Sequence, residues 1–187
     1  MAHIADNGAQ YPVEESKHPW RGAVFGIQTD MVRFPGAGHA VARDYLNHPG
    51  AVAILAEHDR KVMMVHQYRA PVGLEMWELP AGLLDRAGEI PLQAAQRELA
   101  EETGLAAATW EELGDAYTSP GCSTEHITFF WARELYQVET EFVREDEEAL
   151  MDTLWVDLDE AISAARASRI HSAATVLGLL LRALKNT

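Results

Sequence analysis

Residues 82–105, with the sequence GLLDRAGEIPLQAAQRELAEETGL, contain three glutamates spaced to lie on one face of a helix. Pro91 suits the first turn of that helix, and Gly104 suits its C-terminal cap. Like charges three or four residues apart on a helix repel by roughly 0.2–0.5 kcal/mol per pair. The cluster therefore favours an opposing charge nearby, which bears on both the fold and the function of the chain. The three glutamates are Glu98, Glu101 and Glu102.

Two interpretations fit the spacing of these glutamates. They could form a solvated charged face, which is the usual outcome for charge runs on helices. They could instead bind a divalent cation, since Mg²⁺ is usually held by a few carboxylates together with the phosphates of a substrate. Arg97 is the only nearby base, whereas a typical solvated face mixes both signs. The spacing by itself leaves both interpretations open.

The segment also resembles the Nudix box, which runs glycine, five residues, glutamate, seven residues, and then Arg-Glu-apolar-x-Glu-Glu-x-Gly-apolar. The residues at its nine fixed positions are Gly82, Glu89, Arg97, Glu98, Leu99, Glu101, Glu102, Gly104 and Leu105. There is one departure, because six residues rather than five separate Gly82 from Glu89. The extra residue lies in the loop, so it puts the loop conformation in question and leaves the helical glutamates in register. The resemblance predicts a metal-dependent Nudix hydrolase.

The order of predicted elements is that of an α+β protein. Strands are predicted at 20–34, 39–45, 51–56, 61–68, 110–116, 126–132 and in a stretch ending near 156, with helices at 158–165 and 172–184. In Nudix proteins this order corresponds to an α/β/α sandwich with a mixed sheet, which the resemblance implies for residues 48–187. Residues 20–47 resemble the dimer-forming strands of ADP-ribose pyrophosphatases, so we expect a small N-terminal β-strand subdomain and a homodimer. Residues 1–19 are predicted to form a mobile arm.

Composition limits the partners and the compartment. The formal net charge of −14 at pH 7 repels polyanions, so nucleic acid is not an expected partner. An anionic substrate is compatible with this charge when divalent cations reverse it locally. The longest apolar run, 173–181, is too short to span a bilayer and no signal peptide is evident, so we expect no membrane partner and a cytoplasmic location. The single Cys122 excludes an internal disulfide and a cysteine-rich zinc site.

Residues outside the box resemble the ADP-sugar branch of the family. Pro120 lies sixteen residues after Gly104, and a proline at about that distance marks the branch, although Pro-Gly turns are common between strands. Arg69, in QYRAPVG, resembles a phosphate-binding arginine, since guanidinium groups bind diphosphates through paired hydrogen bonds; a surface salt bridge is the alternative. Arg43 occupies the place of another substrate-contacting arginine. The remaining substrate candidates are Glu78 for a base or ribose, Trp20 for stacking on adenine, Leu83 and Glu125.

The resemblance also implies a metal set. Two or three Mg²⁺ ions, with Mn²⁺ as a substitute, would be held by the Ala81 carbonyl and by Glu98, Glu101 and Glu102. The acidic loop at 144–148 would supply Glu147 as a further ligand or base, with Glu145 as its rival; a solvated linker is the alternative for this loop. The predicted catalytic residues are therefore Glu98, Glu102, Glu145 and Glu147. Glu89 and Arg97 are expected to form an ion pair that fixes the loop to the helix.

The expected substrate is a small nucleoside diphosphate sugar. The expected reaction hydrolyses the diphosphate of ADP-ribose, or of a related ADP-sugar, to AMP and ribose 5-phosphate. Two alternatives stay open at this point. The chain could be a Nudix hydrolase of another nucleoside diphosphate derivative, because the box recognises only the diphosphate and the metals, or it could be a non-catalytic sensor that binds ADP-ribose.

Overall fold

The computed structural model describes residues 4–140, 142 and 150–185. Contacts divide the chain into two compact units. The first contains residues 1–48 and 119–124, and the second contains residues 49–118 and 125–187. None of the helices in the described part of the chain combines the length and the apolar composition needed to cross a bilayer.

The first unit contains a three-stranded antiparallel sheet. Its strands are Val13–Arg21 (β1), Gly26–Val32 (β2) and Val41–Asn47 (β3), in the order β1-β2-β3. The first strand corrects the predicted arm, which extended to residue 19. Every residue of β1 is exposed, so its conformation comes from backbone pairing with β2 and not from an apolar face. A search for hydrophobic alternation could not reveal such a strand.

The second unit contains a seven-stranded mixed sheet. Its strands are Ala51–His58 (β4), Lys61–Arg69 (β5), Leu74–Glu78 (β6), Ala81–Leu83 (β7), Leu105–Tyr117 (β8), His126–Gln137 (β9) and Asp152–Asp157 (β10). The main path is β10-β5-β4-β9-β8, with β6 paired to β5 and β7 paired to β4. β4 and β9 are parallel, and the other pairings among these described strands are antiparallel.

Helices cover both faces of this sheet. They are Pro91–Thr103 (α1), Leu158–Arg166 (α2) and Ala173–Leu184 (α3). Alternate residues of a strand point to opposite faces, so Val52 and Ile54 of β4 pack with α1 while Leu55 packs with α2 and α3. Residues 51–56 are all buried, which explains the uninterrupted apolar run of β4. This three-layer α/β/α arrangement confirms the predicted fold class.

The ends of α1 lie where the sequence predicted them. Pro91 is the first helical residue, and the N–H of the C-cap residue Gly104 donates to the carbonyl of Ala100 at 2.9 Å. The side chain of Gln93 accepts the N–H of Ile90 at 3.2 Å, which satisfies a backbone donor at the N-terminus. Strands β6 and β7 were not predicted, since they are short and depend on pairing with β5 and β4.

Candidate active site

Strand β7 presents backbone groups to helix α1. On the other side of β7, the N–H of Ile54 in β4 donates to the carbonyl of Pro80 at 2.8 Å. Backbone groups of successive residues point to alternate sides of a strand, so those of Ala81 point away from β4. The N–H of Ala81 accordingly donates to Oε2 of Glu102 at 3.0 Å. The Ala81 carbonyl, predicted to be a metal ligand, lies on the same side of the strand as this N–H.

Gly82 leaves the space that the side chain of Glu98 fills. A Cβ atom added to Gly82 would lie 1.9 Å from Cδ and 2.1 Å from Oε1 of Glu98. Such distances are far shorter than a van der Waals contact, so the two groups could not keep their present positions. The glycine that opens the box is therefore required by a side chain sixteen positions later in the sequence.

The carboxyl group of Glu98 is strongly perturbed. Its side chain is 14% exposed, and burial raises the pKa of Glu98 to about 7, against the opposing effect of the Arg97 guanidinium. The charges of Glu101 and Asp85 act in the same direction as burial. Burial disfavours the ionised form of the Glu98 carboxyl, and a cation bound beside it would stabilise that ionised form.

Arg97 is the counter-ion of the acidic helix face. Its Nε and Nη2 donate to the two carboxylate oxygens of Glu89, each at 2.9 Å. Its Nη1 donates to Oε1 of Glu98 and, at 3.0 Å, to Oε2 of Glu101. The hydrogen bond to Glu89 raises the pKa of Arg97 and lowers the pKa of Glu89. The predicted ion pair between Glu89 and Arg97 is thus confirmed, and the extra loop residue does not disturb it.

The loop between Gly82 and Glu89 closes in a tight turn. The N–H of Glu89 donates to the carbonyl of Arg86 at 3.1 Å, and Gly88 has a φ of 82°, as the third residue of a type II turn requires. Nη2 of Arg86 donates to Oε1 of Glu101 at 3.1 Å. This contact was missed from the sequence, because no periodicity relates a loop residue to a helical residue fifteen positions later.

The carboxylates of the helix face are engaged by protein donors. Within residues 4–140, 142 and 150–185, no group of three or more His, Cys, Asp or Glu side chains is arranged to hold a metal ion. A cation would therefore have to draw Glu98 and Glu101 from Arg97, and Glu102 from the Ala81 N–H. The donor types nevertheless fit a hard divalent cation, which prefers carboxylate and carbonyl oxygens.

Glu145 and Glu147 lie outside the described residues, so their role as a further ligand or base stays a prediction. The described part of the site accordingly consists of β7, α1 and the loop between them.

Two predicted substrate residues, Arg69 and Glu78, bind each other. Nη2 and Nε of Arg69 donate to Oε2 of Glu78 at 2.6 and 3.1 Å, and Nε2 of Gln67 donates to the same oxygen at 3.1 Å. Glu78 is 7% exposed, whereas the side chain of Arg69 is 45% exposed. The salt bridge considered as an alternative for Arg69 is present, and it orients a guanidinium that keeps an accessible surface.

Leu83 and Glu125 also belong to the second unit. The carbonyl of Leu83, in β7, accepts from Nη2 of Arg97 at 3.4 Å. The side chain of Glu125 accepts the hydroxyl of Thr118, and its carbonyl accepts the N–H of Thr118 at 3.3 Å. These contacts give both residues structural roles, and substrate contact stays a prediction for each.

Arg43 and Trp20 belong to the first unit. Nη1 of Arg43 donates to the carbonyl of Ala42 at 2.8 Å, and its guanidinium carbon lies 4.9 Å from the ring centroid of Phe34. Trp20 is exposed in β1, and its ring lies against Gly22, where a Cβ would be 2.4 Å from the indole. The exposure of both side chains leaves them accessible, and their contact with substrate stays a prediction.

The loop that contains Pro120 also pairs within the first unit. The N–H of Leu46 donates to the carbonyl of Cys122 at 2.9 Å, and the N–H of Thr124 donates to the carbonyl of Leu46 at 3.0 Å. This pairing with β3 gives the segment Ser119–Thr124 a defined backbone conformation.

The chain is similar to known proteins in sequence and in fold. The family model described as NUDIX domain matches residues 46–176. An ADP-ribose pyrophosphatase of Mycobacterium tuberculosis is 43% identical over 160 residues, covering 85% of this chain and 76% of that protein. A methanol dehydrogenase activator of Bacillus methanolicus is 38% identical over 159 residues, covering 84% of each protein. The crystal structure of an ADP compounds hydrolase, 20% identical, has a TM-score of 0.76 and covers 95% of this chain and 94% of its own, which supports a common fold.

Proposed function

The chain belongs to the Nudix family of hydrolases, and on this basis we propose that it hydrolyses the diphosphate of ADP-ribose, or of a related ADP-sugar, to AMP and ribose 5-phosphate. The packing of Glu98 against Gly82 carries the proposal, because it brings the acidic face of α1 against the backbone of β7. The relative with 43% identity is an ADP-ribose pyrophosphatase, which favours this substrate. The name of the methanol dehydrogenase activator describes an effect on another enzyme and specifies no substrate.

Nudix hydrolases generally use a divalent metal ion, and we propose Mg²⁺, with Mn²⁺ as a substitute. The residues that would hold it are Glu98, Glu102, the Ala81 carbonyl and, in part, Glu101. When bound, such an ion supplies Lewis-acid stabilisation of phosphate charge and lowers the pKa of a water molecule. Burial penalises the ionised form of the Glu98 carboxyl, and a bound cation would offset that penalty.

The other residues of the chain position these groups and the substrate. Arg97 ties α1 to the loop through Glu89, which keeps the carboxylates at the edge of β7. Glu78 holds the guanidinium of Arg69 in one orientation, from which it could donate two hydrogen bonds to a diphosphate. Glu147, or alternatively Glu145, would accept the proton of the attacking water.

Further proposals rest on the resemblance alone. Arg43, Trp20, Leu83 and Glu125 are proposed as additional substrate contacts. The first unit is proposed to form a homodimer interface, and the cytoplasm is the proposed location. Each of these can fail without affecting the assignment of the metal site.

The competing functions make different demands on the acidic face. A sensor that binds ADP-ribose without turnover needs no metal-dependent carboxylates, whereas this chain has every glutamate of the box. A Nudix hydrolase of another nucleoside diphosphate needs the same carboxylates and a different substrate pocket. Turnover therefore distinguishes the proposed hydrolase from a sensor, and substrate preference distinguishes it from a Nudix hydrolase of another nucleoside diphosphate.

A substrate panel tests the proposal directly. ADP-ribose, an ADP-hexose, a GDP-sugar, a dinucleoside polyphosphate and an oxidised nucleoside triphosphate are each assayed with Mg²⁺ and with Mn²⁺, and products are identified by chromatography. We expect the highest kcat/KM for ADP-ribose, with AMP and ribose 5-phosphate as products. Binding of ADP-ribose without turnover would indicate a sensor, and a clear preference for another substrate would replace ADP-ribose.

A glutamate variant identifies the site responsible. Glu102→Gln should reduce turnover by about 100-fold or more, because it removes one anionic oxygen from the proposed metal set. Glu112→Gln, at an exposed position on β8, is the matched control and should retain normal turnover. Circular dichroism checks that both variants are folded, and near-normal activity of Glu102→Gln would refute the site.

A further inference from the structure

Glu101 differs from Glu98 and Glu102 because arginines donate hydrogen bonds to both of its carboxylate oxygens. Oε2 accepts from Nη1 of Arg97 at 3.0 Å, and Oε1 accepts from Nη2 of Arg86 at 3.1 Å. The side chain of Glu101 is 15% exposed, so these two bonds replace much of the water that the carboxylate would otherwise bind. Glu98 and Glu102, in contrast, each contact the backbone of β7.

The two arginines are held very differently. Arg97 is only 14% exposed and is fixed by two hydrogen bonds to Glu89. Arg86 lies in the exposed loop, and its side chain is 55% exposed. Exposed ion pairs contribute only about 0–1 kcal/mol, so Arg86 can leave Glu101 at small cost. A divalent cation, with twice the charge, competes effectively for the oxygen that Arg86 releases.

Arg86 reduces the net negative charge around Glu101. Glu89, Glu98 and Glu101 carry three negative charges when ionised, and Arg97 and Arg86 carry two positive charges within hydrogen-bond distance of them. Without Arg86, one more negative charge at Glu101 would remain uncompensated. The acidic face would then attract a divalent cation more strongly.

We infer that Arg86 is a positioning residue that competes with the divalent cation for Glu101. It thereby weakens metal binding at this end of the acidic face and leaves Glu98 and Glu102 as the principal carboxylate ligands. This role rests on the metal site of the proposed function. It gives a function to the loop between Gly82 and Glu89, which is one residue longer than in the Nudix box. The tight turn at Gly88 supports it, because the same turn directs Glu89 to Arg97 and Arg86 to Glu101.

Mn²⁺ binding without substrate tests the inference independently of catalysis. The electron paramagnetic resonance signal of free Mn²⁺ is followed during titration of the wild-type chain, Arg86→Gln and Arg86→Lys. We expect Arg86→Gln to bind Mn²⁺ about three- to tenfold more tightly, and Arg86→Lys, which keeps the charge, to resemble the wild type. The matched control is Arg60→Gln, which removes an exposed arginine paired with Asp159 and should leave Mn²⁺ binding unchanged.

A second substitution shows whether the effect passes through Glu101. Arg86→Gln/Glu101→Gln should bind Mn²⁺ no more tightly than Glu101→Gln alone, so the gain in affinity seen for Arg86→Gln disappears in the Glu101→Gln background. Equal Mn²⁺ binding by the wild type and Arg86→Gln, or a gain that survives Glu101→Gln, would overturn the inference while leaving the proposed hydrolase activity intact. Absence of Mn²⁺ binding by every variant would overturn the proposed metal site and the inference together.

Discussion

Replacing Gly82 by alanine tests whether the position of the Glu98 carboxylate decides activity. The new Cβ would lie 1.9 Å from Cδ of Glu98, and an ordinary van der Waals contact begins at about 3.4 Å. The difference requires a displacement of about 1.5 Å. β7 is paired to β4 at this residue, so the end of the Glu98 side chain is the part that moves.

The size of the displacement sets the expected loss. Ligand distances in metal sites are defined to about 0.2 Å, and misplacement by about 1 Å can reduce a rate about 100-fold. We therefore expect kcat/KM for ADP-ribose to fall at least about 100-fold, equivalent to about 2.7 kcal/mol, and Mn²⁺ affinity to fall with it. The free energy of unfolding should change by less than about 1 kcal/mol, because the displaced atoms end a flexible side chain.

Steady-state hydrolysis of ADP-ribose with Mg²⁺, Mn²⁺ titration and urea unfolding measure these three quantities. Gly38→Ala is the control, since nothing lies within 4 Å of a Cβ at that position. The double variant Gly82→Ala/Glu98→Gln should be no less active than Glu98→Gln, because both changes act through one carboxylate. Activity of Gly82→Ala within about threefold of the wild type, or additive effects in the double variant, would refute the reasoning.

Three further changes test separate parts of the site and the core. Mn²⁺ affinity should fall about tenfold per pH unit below about pH 7, because burial raises the pKa of Glu98 to about 7 and a protonated carboxyl does not bind metal. An Mn²⁺ affinity that stays constant between pH 6 and 8 would contradict this prediction. Arg69→Ala should raise KM for ADP-ribose about tenfold with unchanged Mn²⁺ affinity, and an unchanged KM would remove Arg69 from the substrate site. Arg182→Leu should lower the free energy of unfolding by about 3–5 kcal/mol, because buried Arg182 donates to Glu57 at 2.7 and 3.1 Å. A loss under about 1 kcal/mol in urea unfolding would show that this ion pair contributes little to stability.

Local patterns predicted much of the second unit. Pro91 and Gly104 mark the ends of α1 because they act through the backbone of the same helix. Asp157 caps α2 in the same local way, by accepting from the N–H groups of Asp159 and Glu160. Strands β1 and β7 were not found, since a polar strand or a strand of three residues exists only through its partner strand.

The sequence by itself determined the family and the acidic face of α1. Residues three and four apart must lie together on a helix, so the spacing of Glu98, Glu101 and Glu102 is a local property of the chain. Only the tertiary structure decided what those carboxylates contact. Three features depend on how β7, the loop and α1 pack: the space that Gly82 leaves for Glu98, the raised pKa of the Glu98 carboxyl, and the hydrogen bond from Arg86 to Glu101. These segments are distant in sequence, so no periodic pattern predicts the contacts between them.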